Sequence, residues 1–121
     1  MPTVTNPNGG GGTATPAYDT MYDAGNSGAA KTIDWAANGK LQKLTLTAAC
    51  TLTFTAPAGG TSLKLKLIQD GTGGWTCAFP ASVIWAQGVD PVITPTIAAA
   101  DVVALYYDGT NYYGSIIQNA S

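Results

Sequence analysis

The chain has 121 residues, with seven acids that are all Asp, five bases that are all Lys, and no His, Glu or Arg. That length suffices for one domain and not for two. The missing helix formers Glu and Arg, beside abundant Thr, argue against a helical protein, and a net charge of −2 leaves no basic stripe for nucleic acid. With only 10% charged residues, solubility rests on Thr, Ser, Asn, Gln and Gly, which suits a protein packed against others.

Residues 1–30 read as an extended N-terminal docking arm. Pro2, Pro7 and Pro16 alternate with Thr, Asn and the run Gly9-Gly10-Gly11-Gly12, a composition that buries too little to offset its conformational entropy. Tyr18, Met21 and Tyr22 form a small apolar cluster that one helical turn would place on one side. Three large apolar groups suit a segment that orders on a partner better than a free linker.

Residues 31–121 read as an all-β domain. Thr32-Ile33-Asp34-Trp35-Ala36 is a short alternating strand with Ile33 and Trp35 on one face, followed by a turn at Asn38-Gly39. Leu44, Leu46, Ala48, Cys50, Leu52, Phe54 and Ala56 share one parity, and Thr45, Thr47, Thr51, Thr53 and Thr55 the other. Period-2 alternation marks strands with one buried face. The run is long for one strand, which places a bend or tight turn near Ala48-Ala49. Leu63, Leu65 and Leu67 alternate with outward Lys64 and Lys66, which keep that face wet.

Asp70-Gly71-Thr72-Gly73-Gly74 is a loop, and Trp75, Cys77 and Phe79 share the next buried face. Val83-Ile84-Trp85 is a short apolar piece, and Pro91 to Pro95 is irregular or an edge, since Pro cannot donate to a ladder. Asp101 to Tyr107 and Tyr112 to Gln118 form a hairpin across Asp108-Gly109. The expectation is a β-sandwich or jelly-roll-like domain of about eight short antiparallel strands. In its closing hairpin Tyr106 and Tyr107 face opposite sides, as do Tyr112 and Tyr113, which implies a second packing surface beyond the core.

No residue pattern points to catalysis, a cofactor or a metal. Without His or Arg, acid–base work would fall to Asp, Lys, Tyr or Cys, and Asp70, Asp90 and Asp108 sit beside Gly or Pro where Asp caps turns. Gly71-Thr72-Gly73-Gly74 lacks the Lys-Thr or Lys-Ser and the helix of a phosphate loop. Cys50 and Cys77 read as buried apolar side chains; a disulfide stays open, and two thiols without His leave zinc short of ligands. The N-terminus shows no secretory signal and no apolar stretch is long enough to span a bilayer, so synthesis in a cytoplasm and no membrane partner are expected.

Five stretches in order resemble a recurrent β module of tailed-bacteriophage virion proteins, of head-decorating and fibre-associated type. They are Thr32-Ile33-Asp34-Trp35, Leu44-Thr45-Leu46-Thr47 with Cys50-Thr51, Leu67-Ile68-Gln69-Asp70-Gly71-Thr72-Gly73, Phe79-Pro80-Ala81-Ser82-Val83-Ile84-Trp85, and Tyr106-Tyr107-Asp108-Gly109-Thr110-Asn111-Tyr112-Tyr113-Gly114. Trp85 is followed by Ala86-Gln87-Gly88 where that module has a Pro-Gly turn. The resemblance implies a virion component made in a host cytoplasm. Its form would be a capsid decoration protein, a homotrimer cementing the major capsid protein on the outer head surface. The rival reading is a receptor- or glycan-binding tip of a tail or head fibre. Tyr18, Met21 and Tyr22 are the expected arm contacts, and Trp85, Tyr106, Tyr112 and Tyr113 the expected subunit-interface or glycan-stacking aromatics.

Overall fold

The computed structural model describes residues 19–119. Nine strands form: β1 Tyr22–Asn26, β2 Ala30–Asp34, β3 Leu41–Leu46, β4 Cys50–Thr55, β5 Thr61–Gln69, β6 Cys77–Ala78, β7 Val83–Trp85, β8 Ala100–Tyr107 and β9 Tyr112–Ile117. One helical turn, α1 Trp35–Asn38, and a 3-10 turn at Ala86–Gly88 interrupt them. The strands make a six-stranded sheet in the order β1-β3-β5-β8-β9-β7 and a three-stranded sheet in the order β2-β4-β6. The chain is all-β, and its inward-facing residues from both sheets form one core.

The strands are not mainly antiparallel. β1–β3, β3–β5, β2–β4, β4–β6 and β7–β9 pair parallel, and only β5–β8 and β8–β9 pair antiparallel. From β1 to β6 the chain alternates between the two sheets, so successive passes stack as coils. Tyr22 pairs with Gln42, 20 residues on, and Gln42 pairs with Leu65, 23 residues on. The Ala48-Ala49 bend therefore joins strands of different sheets, not the arms of a hairpin. Leu44, Leu46, Cys50 and Leu52 stay buried through it.

Hydrogen bonds hold the stacked bends together. The Gly28 N–H donates to Thr47 Oγ1 at 3.0 Å, and the Thr47 N–H donates to Ser27 Oγ at 3.1 Å. The Thr51 N–H donates to the Ala29 carbonyl at 3.0 Å, and the Cys50 N–H to the Thr76 carbonyl at 2.9 Å. Two buried glutamines tie loops to the six-stranded sheet. Gln42 Nε2 donates to the Asp34 and Gly39 carbonyls, each at 3.0 Å. Gln69 Nε2 donates to the Trp75 and Thr94 carbonyls, and its Oε1 accepts from the Trp75 N–H. Asp101, also buried, accepts from the N–H groups of Thr94 and Asn119. It pins the irregular stretch before β8, which contains Pro91 and Pro95, and the tail after β9.

The domain boundary moves toward the N-terminus. Tyr22–Asn26, assigned to the arm on sequence, is an edge strand against β3. Its ladder shifts register between Asp23 and Asn26, where Gly25 has φ +82° and Asp23 Oδ1 accepts the Gly25 N–H at 2.8 Å. A bulge of this kind discourages further pairing along the edge. Met21 precedes this strand and Tyr22 begins it, so no helical turn joins them; Tyr18 lies outside the described residues. The expected strand at Thr32–Ala36 ends at Asp34, whose carboxylate caps α1 by accepting the Ala37 N–H at 2.9 Å. Trp35 still reaches the core, edge-on to Phe54 at 5.6 Å.

Candidate interaction face

The outer face of the six-stranded sheet is divided into two zones. Across β7, β9, β8 and β5 the register aligns Ile84, Tyr113, Tyr106 and Ser62 in one row. A second row aligns Ile117, Val102, Lys66 and Lys43. Large apolar groups thus gather over β7–β9–β8, while Lys43, Lys64 and Lys66 occupy β3 and β5. Tyr106 is 57% exposed and Tyr113 45%, with ring centroids 6.5 Å apart and planes tilted by 37°. Ile84, the register partner of Tyr113, is exposed as well, as is Ile117 farther along the same face of β9.

The hairpin turn positions Tyr113. Asp108 Oδ1 accepts the N–H groups of Thr110 and Asn111, each at 2.8 Å, and Gly109 takes φ +101°. The Asn111 and Thr110 amides, with the Tyr113 side chain as a further donor, hold the Asp108 carboxyl below its usual range. Asp70 has the same role in its loop. It accepts from the Gly73 and Thr72 N–H groups and from Trp75 Nε1, and the Gly73 amide leads in lowering its pKa. Carboxylates held this way are ionised at neutral pH and have no proton to donate.

Trp85 and Tyr112 do not belong to this face. Both are buried, on the side of β7 and β9 opposite Ile84 and Tyr113. The Trp85 indole lies over Gly114, where a side chain would collide with it, and packs edge-on against Phe79 at 5.0 Å. Tyr112 stacks with Tyr107 at 4.6 Å and meets Phe54 at 5.1 Å. Burial, and next the neighbouring Tyr107, raise the pKa of the Tyr112 hydroxyl. These two aromatics are core residues and cannot stack on a sugar without unpacking the domain. Met21 and Tyr22 are exposed at the opposite edge of the sheet.

Among the described residues no group of three or more His, Cys, Asp or Glu side chains is placed to hold a metal ion. Also among them, no helix is long and apolar enough to cross a membrane. A cavity of about 140 Å³ lies beside β6, lined by Thr76, Cys77, Pro91, Val92 and Ile93. The sequence singled out Tyr106 and Tyr113 but not Ile84 and Ile117, because only strand register places these four together. No family model, curated protein or solved structure matches the chain.

Proposed function

We propose that this chain is a non-catalytic structural protein of a bacteriophage virion, a decoration protein that binds the outer surface of the head and stabilises it. The observation that carries the reading is the solvent-facing Tyr106–Tyr113 pair with Ile84 and Ile117 on one sheet face. Large exposed apolar groups gathered on one face mark an interaction surface. Tyrosine is suited to such a surface, since it adds contact area at little conformational cost. The stacked coils with bonded bends give a stiff body on which that surface is held. The sequence resemblance to virion β modules supplies the partner, a shell protein, and the homotrimer. Linking three copies raises their effective concentration, so weak single contacts sum to firm attachment.

A glycan-binding fibre tip is the second reading, favoured by the same two tyrosines, whose exposed rings can stack on sugars. One experiment separates the readings. Purified protein is titrated onto capsids that lack it and, in parallel, onto a glycan array. Saturable capsid binding without glycan signal supports decoration. Glycan binding without capsid binding refutes it in favour of the fibre tip.

A further inference from the structure

Cys50 opens β4 and Cys77 opens β6, and the two are register partners in neighbouring parallel strands. Register partners of a parallel pair project to the same face, with backbones about 4.8 Å apart. That spacing lies inside the window of about 4.4–6.8 Å between Cα atoms that a disulfide spans, and the Cβ atoms have only a few tenths of an ångström to close to reach the required separation of about 3.5–4.5 Å. The Cys50 N–H bond to the Thr76 carbonyl, 2.9 Å, fixes the register beside the pair. Both thiols are free.

Their access differs. Cys77 forms part of the wall of the 140 Å³ cavity with Thr76, Pro91, Val92 and Ile93 and Cys50 does not, although the Cys77 thiol is itself strongly desolvated. A cavity of about 150 Å³ takes in a molecule as large as benzene, so it has room for the half of a small disulfide that is left on Cys77. β6 is also the last strand of its sheet, so the outer side of Cys77 faces this cavity and no further strand.

We infer that Cys77 and Cys50 are an oxidisable pair in which Cys77 takes a small disulfide from the cavity and Cys50 resolves it. The Cys77 thiolate attacks one sulfur of the reagent, whose sulfur–sulfur bond breaks to release one thiolate and leave a mixed disulfide on Cys77. The Cys50 thiolate then attacks the Cys77 sulfur and expels the second thiolate. The protein loses two protons and two electrons, and the reagent is reduced to two thiols. The product bond ties β6 to β4, joining the two-residue edge strand to the coil beneath it. Burial, and next the neighbouring Cys50, push the Cys77 thiol up to about 12, so the exchange is slow at neutral pH. Burial raises the Cys50 thiol as well, against the opposing effects of the Ser27 side-chain hydrogen bond and then of Lys31 on the adjacent β2.

The test incubates the native full chain with 2-hydroxyethyl disulfide, quenches in acid and maps peptides without reduction. The wild type should lose two hydrogens in mass and give one linked peptide pair containing Cys50 and Cys77. C50S should stop at a mixed disulfide on Cys77, and C77S should stay unmodified under the same conditions. A wild type that keeps both thiols, carries adducts on both, links only between chains, or closes the bond only in urea overturns the inference. If either variant fails to fold, the wild-type peptide map decides alone.

Discussion

Replacing Gly114 with Ala is expected to destabilise the domain, and the sign of the effect carries the test. Gly114 lies in β9 with its φ outside the left-handed region, so alanine meets no backbone penalty. Such a substitution in open space stabilises by about 0.4–1 kcal/mol, because the unfolded chain loses freedom. Here a Cβ would lie 2.6, 2.8 and 2.9 Å from three atoms of the Trp85 ring. The ring is buried and held against Phe79, so it cannot swing away without pulling β7 from β9. Overpacking of this kind costs about 1–3 kcal/mol, and three sub-contact distances on a rigid ring place G114A near the upper end. Urea unfolding followed by tryptophan fluorescence should show a midpoint lower by about 1.5 M, at a slope of about 2 kcal/mol per M. W85L should relieve the clash, so that G114A costs less in that background than in the wild type. A G114A variant more stable than wild type would refute the placement of Trp85 in the core.

Other outcomes follow from the same packing. L65A removes a fully buried side chain at the centre of the six-stranded sheet and should cost about 2–5 kcal/mol in urea unfolding; a cost below about 1 kcal/mol would mean the core is misplaced. Q69A leaves the Trp75 N–H and the Trp75 and Thr94 carbonyls without their side-chain partner. It should cost about 2–4 kcal/mol and raise hydrogen exchange at the Trp75 amide; unchanged exchange there would argue against the clamp. The folded-state carboxyl groups of Asp70 and Asp108 titrate below their ordinary 3.8, so they bind fewer protons than in the unfolded chain. Their contribution is full above that value and lost as pH falls through the lower folded values. The D70N/D108N double variant should therefore have a flatter stability profile below about pH 4 than the wild type, and parallel profiles would contradict the turn geometry.

Much of the strand content is legible in the sequence, because alternation reports which side chains share a face. Leu44 to Phe54 and Leu63 to Leu67 show it, and Asp108-Gly109 marks the hairpin through its demand for positive φ. Alternation does not report which strand lies alongside. The three-residue bend at Thr47–Ala49 leaves the apolar parity unbroken whether the chain folds back in one sheet or crosses to another. The parallel coils were hidden for that reason, and with them the strand at Tyr22–Asn26, whose small and polar residues carry no apolar alternation. A faint signal was the recurrence of similar lengths between bends, which register turns into stacking.

The candidate face was half legible. Parity within the hairpin puts one tyrosine of each doublet, Tyr106-Tyr107 and Tyr112-Tyr113, on the outer face. The burial of Trp85, expected as an interface or glycan-stacking aromatic, is not legible because its partner, Gly114, lies 29 residues on and offers a slot that only pairing brings under the indole. Tyr112 was misplaced because parity separates Tyr112 from Tyr113 without saying which of the two is inside.

The most direct measurement compares wild type with the Y106S/Y113S double variant in saturable binding to capsids that lack the protein. Both rings are outside the core, so the variant should stay folded, its urea midpoint lowered only by the loss of the Tyr106–Tyr113 pair and the Tyr113–Asp108 contact, while affinity falls by about tenfold or more. Equal affinity of the two folded proteins would contradict attachment through this face.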